Sequence, residues 1–297
     1  MSPNPRSLLA QHAKTTQLLG VDFLPLGNPP PSHFQSQFEN HPTSKPIPEP
    51  PAHPQPDSTI EPKPIHDFAP TPQTPPTPKI SITTDTTSIR AAHESLTDPQ
   101  QKLDALQEKY TQDAPHANFT TSFTNTVFGQ GNPAADLMFI GEAPGQQEDQ
   151  SGLPFVGPAG QLLDKMILAM GLSRESVYIT NVLKTRPPNN ATPTRDEALA
   201  CAPYLYEQIR IINPKVIVTL GLPATHLLLD TTQPMRAMRG HFHSFPPASL
   251  SQTNLPTIDL MPTYHPAFLL RAYTQDNRAK VWSDLTQVIE KLGLSKP

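Results

Sequence analysis

Three short stretches of this sequence place chemically competent side chains directly after or within apolar runs. Glu142 stands in Gly141-Glu142-Ala143-Pro144-Gly145, behind Leu137-Met138-Phe139-Ile140. Asn181 stands in Thr180-Asn181-Val182-Leu183-Lys184, and His265 in Tyr264-His265-Pro266. A carboxylate can orient water or stabilise a cation. A carboxamide both donates and accepts hydrogen bonds, and an imidazole can donate to an oxygen that is gaining charge. Each residue also has a plainer reading. Loop acids are usually solvated, a strand-end Asn is often a turn former, and a His beside Pro can simply close a strand. The Gly-rich acidic loop could equally cradle a phosphate.

The surrounding elements bear on that choice. Residues 136–141 read as a buried strand that opens into a polar loop, followed by a helix at 161–170 closed by Gly171. A second strand spans 176–183 and runs into Lys184-Thr185-Arg186-Pro187-Pro188-Asn189-Asn190. Thr194-Arg195-Asp196-Glu197 is a capping-box pattern opening a long helix with Leu205, Ile209 and Ile212 in step, which Asn213-Pro214 ends. A third strand (215–221), a short helix (222–229), a less ordered segment (236–254), a fourth strand held within 255–266 and a final helix (about 276–292) complete the pattern. Another helix, 99–110, precedes the first strand, with a turn-rich lead-in at 120–131. Strands alternating with helices predict a three-layer α/β/α fold around a four-stranded parallel sheet. The loops 141–157, 181–190 and 264–271 then lie at the carboxyl ends of strands, where open α/β sheets bind ligands.

Composition confines this fold to part of the chain. Of 39 prolines among 297 residues, 18 fall between Pro25 and Pro78. Such a segment has too few apolar anchors to offset its ordering entropy, so 25–98 reads as a disordered Pro-rich linker. Residues 1–24 hold a short helical pattern at 5–19, a docking motif for a protein partner or a frayed terminus. Residues 99–297 form the expected globular domain, large enough for one core. Lys and Arg number 6 against 9 Asp and Glu in residues 1–98, and 16 against 17 thereafter, so no basic run marks a nucleic-acid tail. No membrane-spanning stretch or signal peptide is read, and the one cysteine, Cys201, fits a reducing cytoplasm.

Four motifs in register carry a resemblance. GEAPGQQED, FVGPAG, TNVLKTRPPNN and TYHPAFLLR, in that order and spacing, resemble family 4 of the uracil-DNA glycosylase superfamily over about residues 115–294. The resemblance implies a monomeric enzyme of base-excision repair that extrudes deoxyuridine from DNA and hydrolyses the bond between base and sugar. It implies that His265 donates toward uracil O2, and that the Asn181 amide donates to O4 and accepts from N3–H. Cytosine presents the opposite polarity at both places. It implies further that Phe155 stacks on the base, and that Glu142 positions water, stabilises the cationic sugar or crowds the place of a thymine methyl. Glu148 and Asp149 are second candidates for that carboxylate. Gly141, Ala143 and Gly145 let backbone approach the base and offer N–H donors. Leu269 or Leu270 would wedge into the gap left by the extruded nucleotide. Arg271, Lys184, Arg186 and Arg239 would contact phosphates.

The family usually holds an iron–sulfur cluster on four cysteines. Its positions map here to Ala114-Pro115-His116-Ala117, where a CxxC is expected, to Thr185 and to Cys201. One thiolate cannot hold a cubane, so no cluster and no metal are expected. Phe119, Phe123 and Phe128 are expected to replace the clip by packing, and Ala191 stands where the family has an Arg. Two other readings remain open: the same fold cutting hypoxanthine or xanthine, and a catalytically silent DNA-binding or polymerase-associated protein that recruits partners through its arm.

Overall fold

A computed structural model describes residues 86–119, 121 and 123–295, with the side chains of 251–253 excepted. The expected helix at 5–19 and most of the expected linker lie outside the described residues. The helices are α1 (Thr86–Ala91), α2 (Pro99–Asp113), α3 (Gln146–Ser151), α4 (Pro158–Ala169), α5 (Arg195–Ile212), α6 (Leu222–Leu229), α7 (Met235–Met238), α8 (Pro266–Arg271) and α9 (Gln275–Lys291). The strands are β1 (Gln130–Gly131), β2 (Leu137–Gly141), β3 (Tyr178–Asn181), β4 (Val216–Leu220), β5 (His243–Phe245) and β6 (Ile258–Thr263).

The sheet order is β1-β3-β2-β4-β6-β5. The four expected strands, β2, β3, β4 and β6, are mutually parallel, but the sheet has six strands rather than four. Antiparallel β1 and β5 close its two edges. Two or three residues show no periodicity of their own, so such edges are invisible to pattern reading. The segment 236–254 is also more ordered than expected, since it contains β5 and part of α7.

Side chains alternate across the sheet with the period of two that strands require. Met138, Ile140, Ile217 and Leu260 face one layer together with residues of α1, α2, α5 and α6. Leu137, Phe139, Val216, Val218 and Met261 face the other, with residues of α4, α8 and α9. Both faces are thus covered, which explains why β2 and β4 are buried throughout. No helix among the described residues is long and apolar enough to cross a membrane.

Several sequence signals act as read. The Thr194 side chain accepts from Glu197 N while the Glu197 carboxylate accepts from Thr194 N, at the head of α5. Asn213 closes that helix in the left-handed region at φ 48°. Helix α1 lies inside the stretch 25–98 expected to be linker. Ile89 is fully buried, and Arg90 and His93 reach Glu207 of α5 at 3.2 and 3.4 Å. A carboxylate with 3 % exposure needs such partners, and its burial cannot be read from a local window.

Candidate active site

The loops after β2, β3 and β6 converge as expected on one side of the sheet. They line a cavity of about 500 Å³ that contains Glu142, Ala143, Gly145, Phe155, Asn181, His265 and Arg271. Register explains the meeting of the first two loops, since Gly141 pairs with Asn181 across β2 and β3. The ladder continues beyond the strands, with Val182 N donating to Gly141 O at 3.0 Å and Leu183 N to Glu142 O at 3.1 Å. A Cβ at Gly141 would lie 2.3 Å from Asn181 Oδ1 and 2.5 Å from Phe155 Cζ. Only glycine leaves room there for the amide and the ring together.

Phe155 is the most constrained residue of the site. Its φ is 52°, a left-handed conformation that costs energy in a bulky residue. The carboxylate Oε1 of Glu148 accepts from Val156 N at 3.0 Å and from Gly157 N at 2.8 Å. Arg174 donates to the carbonyls of Pro154 and Phe155 and to Asp164. Gly160 lets α4 press against this loop, since a Cβ there would lie 1.9 Å from Phe155 O. So clamped, the Phe155 ring stacks beside His265 with centroids 5.6 Å apart and planes inclined at 30°.

His265 caps α8, its Nδ1 accepting from Ala267 N at 3.1 Å. That bond assigns the proton to Nε2 and leaves the neutral ring a donor. Burial pushes the imidazole pKa down to about 4; Arg271 adds to the effect and Glu148 opposes it. Burial raises the Glu142 carboxyl above its ordinary value, against a hydrogen bond from Thr192 and the charge of Arg271. Asn181 is 1 % exposed, and its Oδ1 is buried without a hydrogen-bond partner. A buried acceptor left unpaired costs about 1–3 kcal/mol unless a ligand satisfies it.

Other expected site residues fall elsewhere. Lys184 is fully buried, so it contacts no phosphate. Burial pushes its ammonium pKa down to about 7. Arg239 donates to both Asp284 oxygens at 3.0 and 2.7 Å and is likewise no free phosphate contact. Leu269 is buried in the core, whereas Leu270 is 45 % exposed, so the wedge candidates reduce to Leu270. Arg186 remains half-buried, with its Nε on Asn190 Oδ1 at 2.9 Å. Glu148 serves the Phe155 loop as described. Asp149 is buried, its Oδ1 accepting from Thr124 N at 2.6 Å and Asn125 N at 3.1 Å. Asp149 therefore ties down residues 124 and 125, in the lead-in to β1. Thr192 and Arg174 escaped the sequence reading, since a loop Thr and a surface Arg carry no local signal.

The four mapped cluster positions do not fit that cofactor, because only Cys201 offers a thiol. The surrounding space is packed instead. Tyr110 OH lies 3.9 Å from Cys201 Sγ and 3.1 Å from His116 Nδ1. The rings of His116, Phe128 and Tyr204 surround that of Tyr110 at 5.4, 6.0 and 5.0 Å, and Phe123 meets His116 edge-on at 4.9 Å. Burial pushes the Cys201 thiol up to about 11, so it remains protonated. Phe123 and Phe128 thus take part in the packing as expected, while Tyr110, Tyr204 and His116 were not foreseen.

An open α/β sheet whose strand ends set an amide, a neutral imidazole and a carboxylate around an aromatic ring defines a protein built to hold a flat, polar ring in a pocket. The chain belongs to the Uracil DNA glycosylase superfamily, whose family model matches residues 128–286. It is 45 % identical over 178 residues to a type-4 uracil-DNA glycosylase of Saccharolobus solfataricus, covering 58 % of this chain and 78 % of that protein. It is 41 % identical over 168 residues to one from Thermotoga maritima (54 % and 80 % covered), and 41 % over 179 residues to one from Archaeoglobus fulgidus (59 % and 85 %).

Proposed function

We infer that this protein is a uracil-DNA glycosylase of the type-4 kind that works without an iron–sulfur cluster. The observation that carries the reading is the unpaired, buried Oδ1 of Asn181, set against the Phe155 ring in a pocket whose other wall is a neutral imidazole. A uracil slid along Phe155 supplies the N3–H that this oxygen lacks, and its O4 accepts from the amide nitrogen. Its O2 turns toward the Nε2–H of His265. As the bond between C1′ and N1 breaks, its electron pair stays on uracil and the charge grows at O2, where His265 donates. The sugar left behind is an oxocarbenium ion. Glu142 stabilises it and accepts a proton from the attacking water, whose oxygen bonds to C1′ and leaves an abasic site. Leu270 fills the gap in the duplex, and Arg271 and Arg186 meet the flanking phosphates.

Every residue in this scheme comes from one chain, so a monomer suffices, and a single free cysteine, Cys201, fits a reducing cytoplasm. Purified protein incubated with a uracil-containing oligonucleotide is expected to yield strand scission on alkaline treatment. Hypoxanthine-containing and mispaired thymine-containing oligonucleotides run alongside measure its range. No scission above background from folded protein would overturn the reading. The same protein, purified without oxygen, is expected to be colourless and free of iron. A brown product with about four irons per chain would disprove the cluster-free assignment.

A further inference from the structure

The mechanism above makes no use of Lys184, yet it is a fully buried cation and touches the base-reading strand end. Its Nζ donates to Asn181 O at 2.8 Å, to Thr180 Oγ1 at 2.6 Å and to Gln208 Oε1 at 2.6 Å. The polarity of this network is forced. Thr180 Oγ1 gives its own proton to Phe128 O at 2.7 Å, and Gln208 Nε2 donates to the same carbonyl at 2.9 Å. Both groups therefore turn acceptors toward the ammonium, so all three of its N–H groups are used. The ring of Phe128 lies beneath it, 5.3 Å from centroid to Nζ.

The geometry points to Lys184 as the positioning residue that sets Asn181, and so to a part in how well the pocket reads a base. This deepens the glycosylase reading and rests on it. The backbone after Asn181 is held from one side by the bonds of Val182 N and Leu183 N to the β2 loop. From the other side, the carbonyl of Asn181 itself is met by the ammonium, with Thr180 Oγ1 only at 3.5 Å. Lys184 is in turn fixed to α5 through Gln208. With that carbonyl released, the strand end at Asn181 is free to shift, carrying its side chain from the position beside Gly141 and Phe155. A shift of about 1 Å in a positioning group can cost about a hundredfold in rate.

The test compares Lys184→Met with Glu207→Gln in the full chain. Glu207 is also buried on α5, but its partners are Arg90, His93 and Arg210, and none of these pairs involves Asn181 or Lys184. Lys184→Met is expected to lose about ten- to a hundredfold in kcat on a uracil oligonucleotide, with weakened inhibition by free uracil. Glu207→Gln lowers Tm but keeps kcat and uracil inhibition within about threefold of wild type. Wild-type kcat and uracil inhibition in a folded but less stable Lys184→Met would overturn the proposal, as would an equal loss of both in Glu207→Gln. Should Lys184→Met fail to fold, Lys184→Gln keeps one N–H for the Asn181 carbonyl. It should then be inhibited by uracil more weakly than wild type and Glu207→Gln, and unchanged inhibition would count against the role. A wild-type protein inactive on uracil would sink the glycosylase reading and this proposal with it. An active wild type with an unimpaired Lys184→Met sinks the role of Lys184 alone.

Discussion

Replacing His265 by alanine is expected to lower kcat for uracil release by about two to three orders of magnitude, the typical loss on removing one preorganised donor to a developing anion. KM should change little, because the charge on O2 appears only as the bond breaks. Single-turnover rates on a uracil oligonucleotide measure this, and a loss below about fivefold would remove His265 from the reaction. The pH dependence follows from the same ring. Its folded pKa of about 4 lies below the ordinary value of 6.5, so the donor is neutral at neutral pH. Acidification through the interval from 6.5 toward 4 protonates the imidazole in the unfolded chain before the folded one, so this residue erodes stability as pH falls there. Above 6.5 both states are neutral and its contribution is constant. Thermal melts of wild type and His265→Ala between pH 7 and about 5 separate this effect, since the variant should lose less stability on acidification.

Asn181→Asp is expected to be the more damaging substitution, with kcat/KM on uracil reduced by about a thousandfold or more. A pocket built to hydrogen-bond its ligand discriminates strongly once the polarity is wrong. The aspartate keeps an acceptor for N3–H but points a second acceptor at uracil O4, where the wild-type amide donates. Cytosine carries an amino donor at that position, so its disadvantage against uracil should shrink. Parallel assays on uracil- and cytosine-containing strands test both statements. Activity on uracil within about tenfold of wild type would show that Asn181 does not read the base. The variant should also be less stable, because its carboxylate lies at a position only 1 % exposed with no countercharge, so the rates are compared on protein shown to be folded.

Much of this site is legible in the sequence for a simple reason. Glu142, Asn181 and His265 each follow or end a run apolar enough to be a strand, and parallel strands present their carboxyl ends on one side. Convergence of the three loops therefore follows from element order alone. The inferred role of Phe155 needed its motif, because a single Phe is ordinarily core. Its left-handed backbone and the clamps from Glu148 and Arg174 depend on groups brought together only by folding.

Where the sequence reading and the structure part, the cause is a partner distant along the chain. Leu269 and Leu270 are identical in type, and only the packing of α8 turns one into the core and the other outward. Lys184 and Arg239 have the composition of surface cations, yet each is drawn inside by acceptors 24 and 45 residues away. Helix α1 joins the domain because Glu207, more than a hundred residues later, is buried and requires countercharge. By itself the sequence determined the α/β architecture, the three converging loops and the loss of three of the four cluster thiols, since all of these rest on local pattern or on residue identity. Tertiary structure alone decided which polar groups are left unpaired for a ligand and which cations are enclosed. Burial and hydrogen-bond satisfaction are properties of neighbours in space, and no local window contains them.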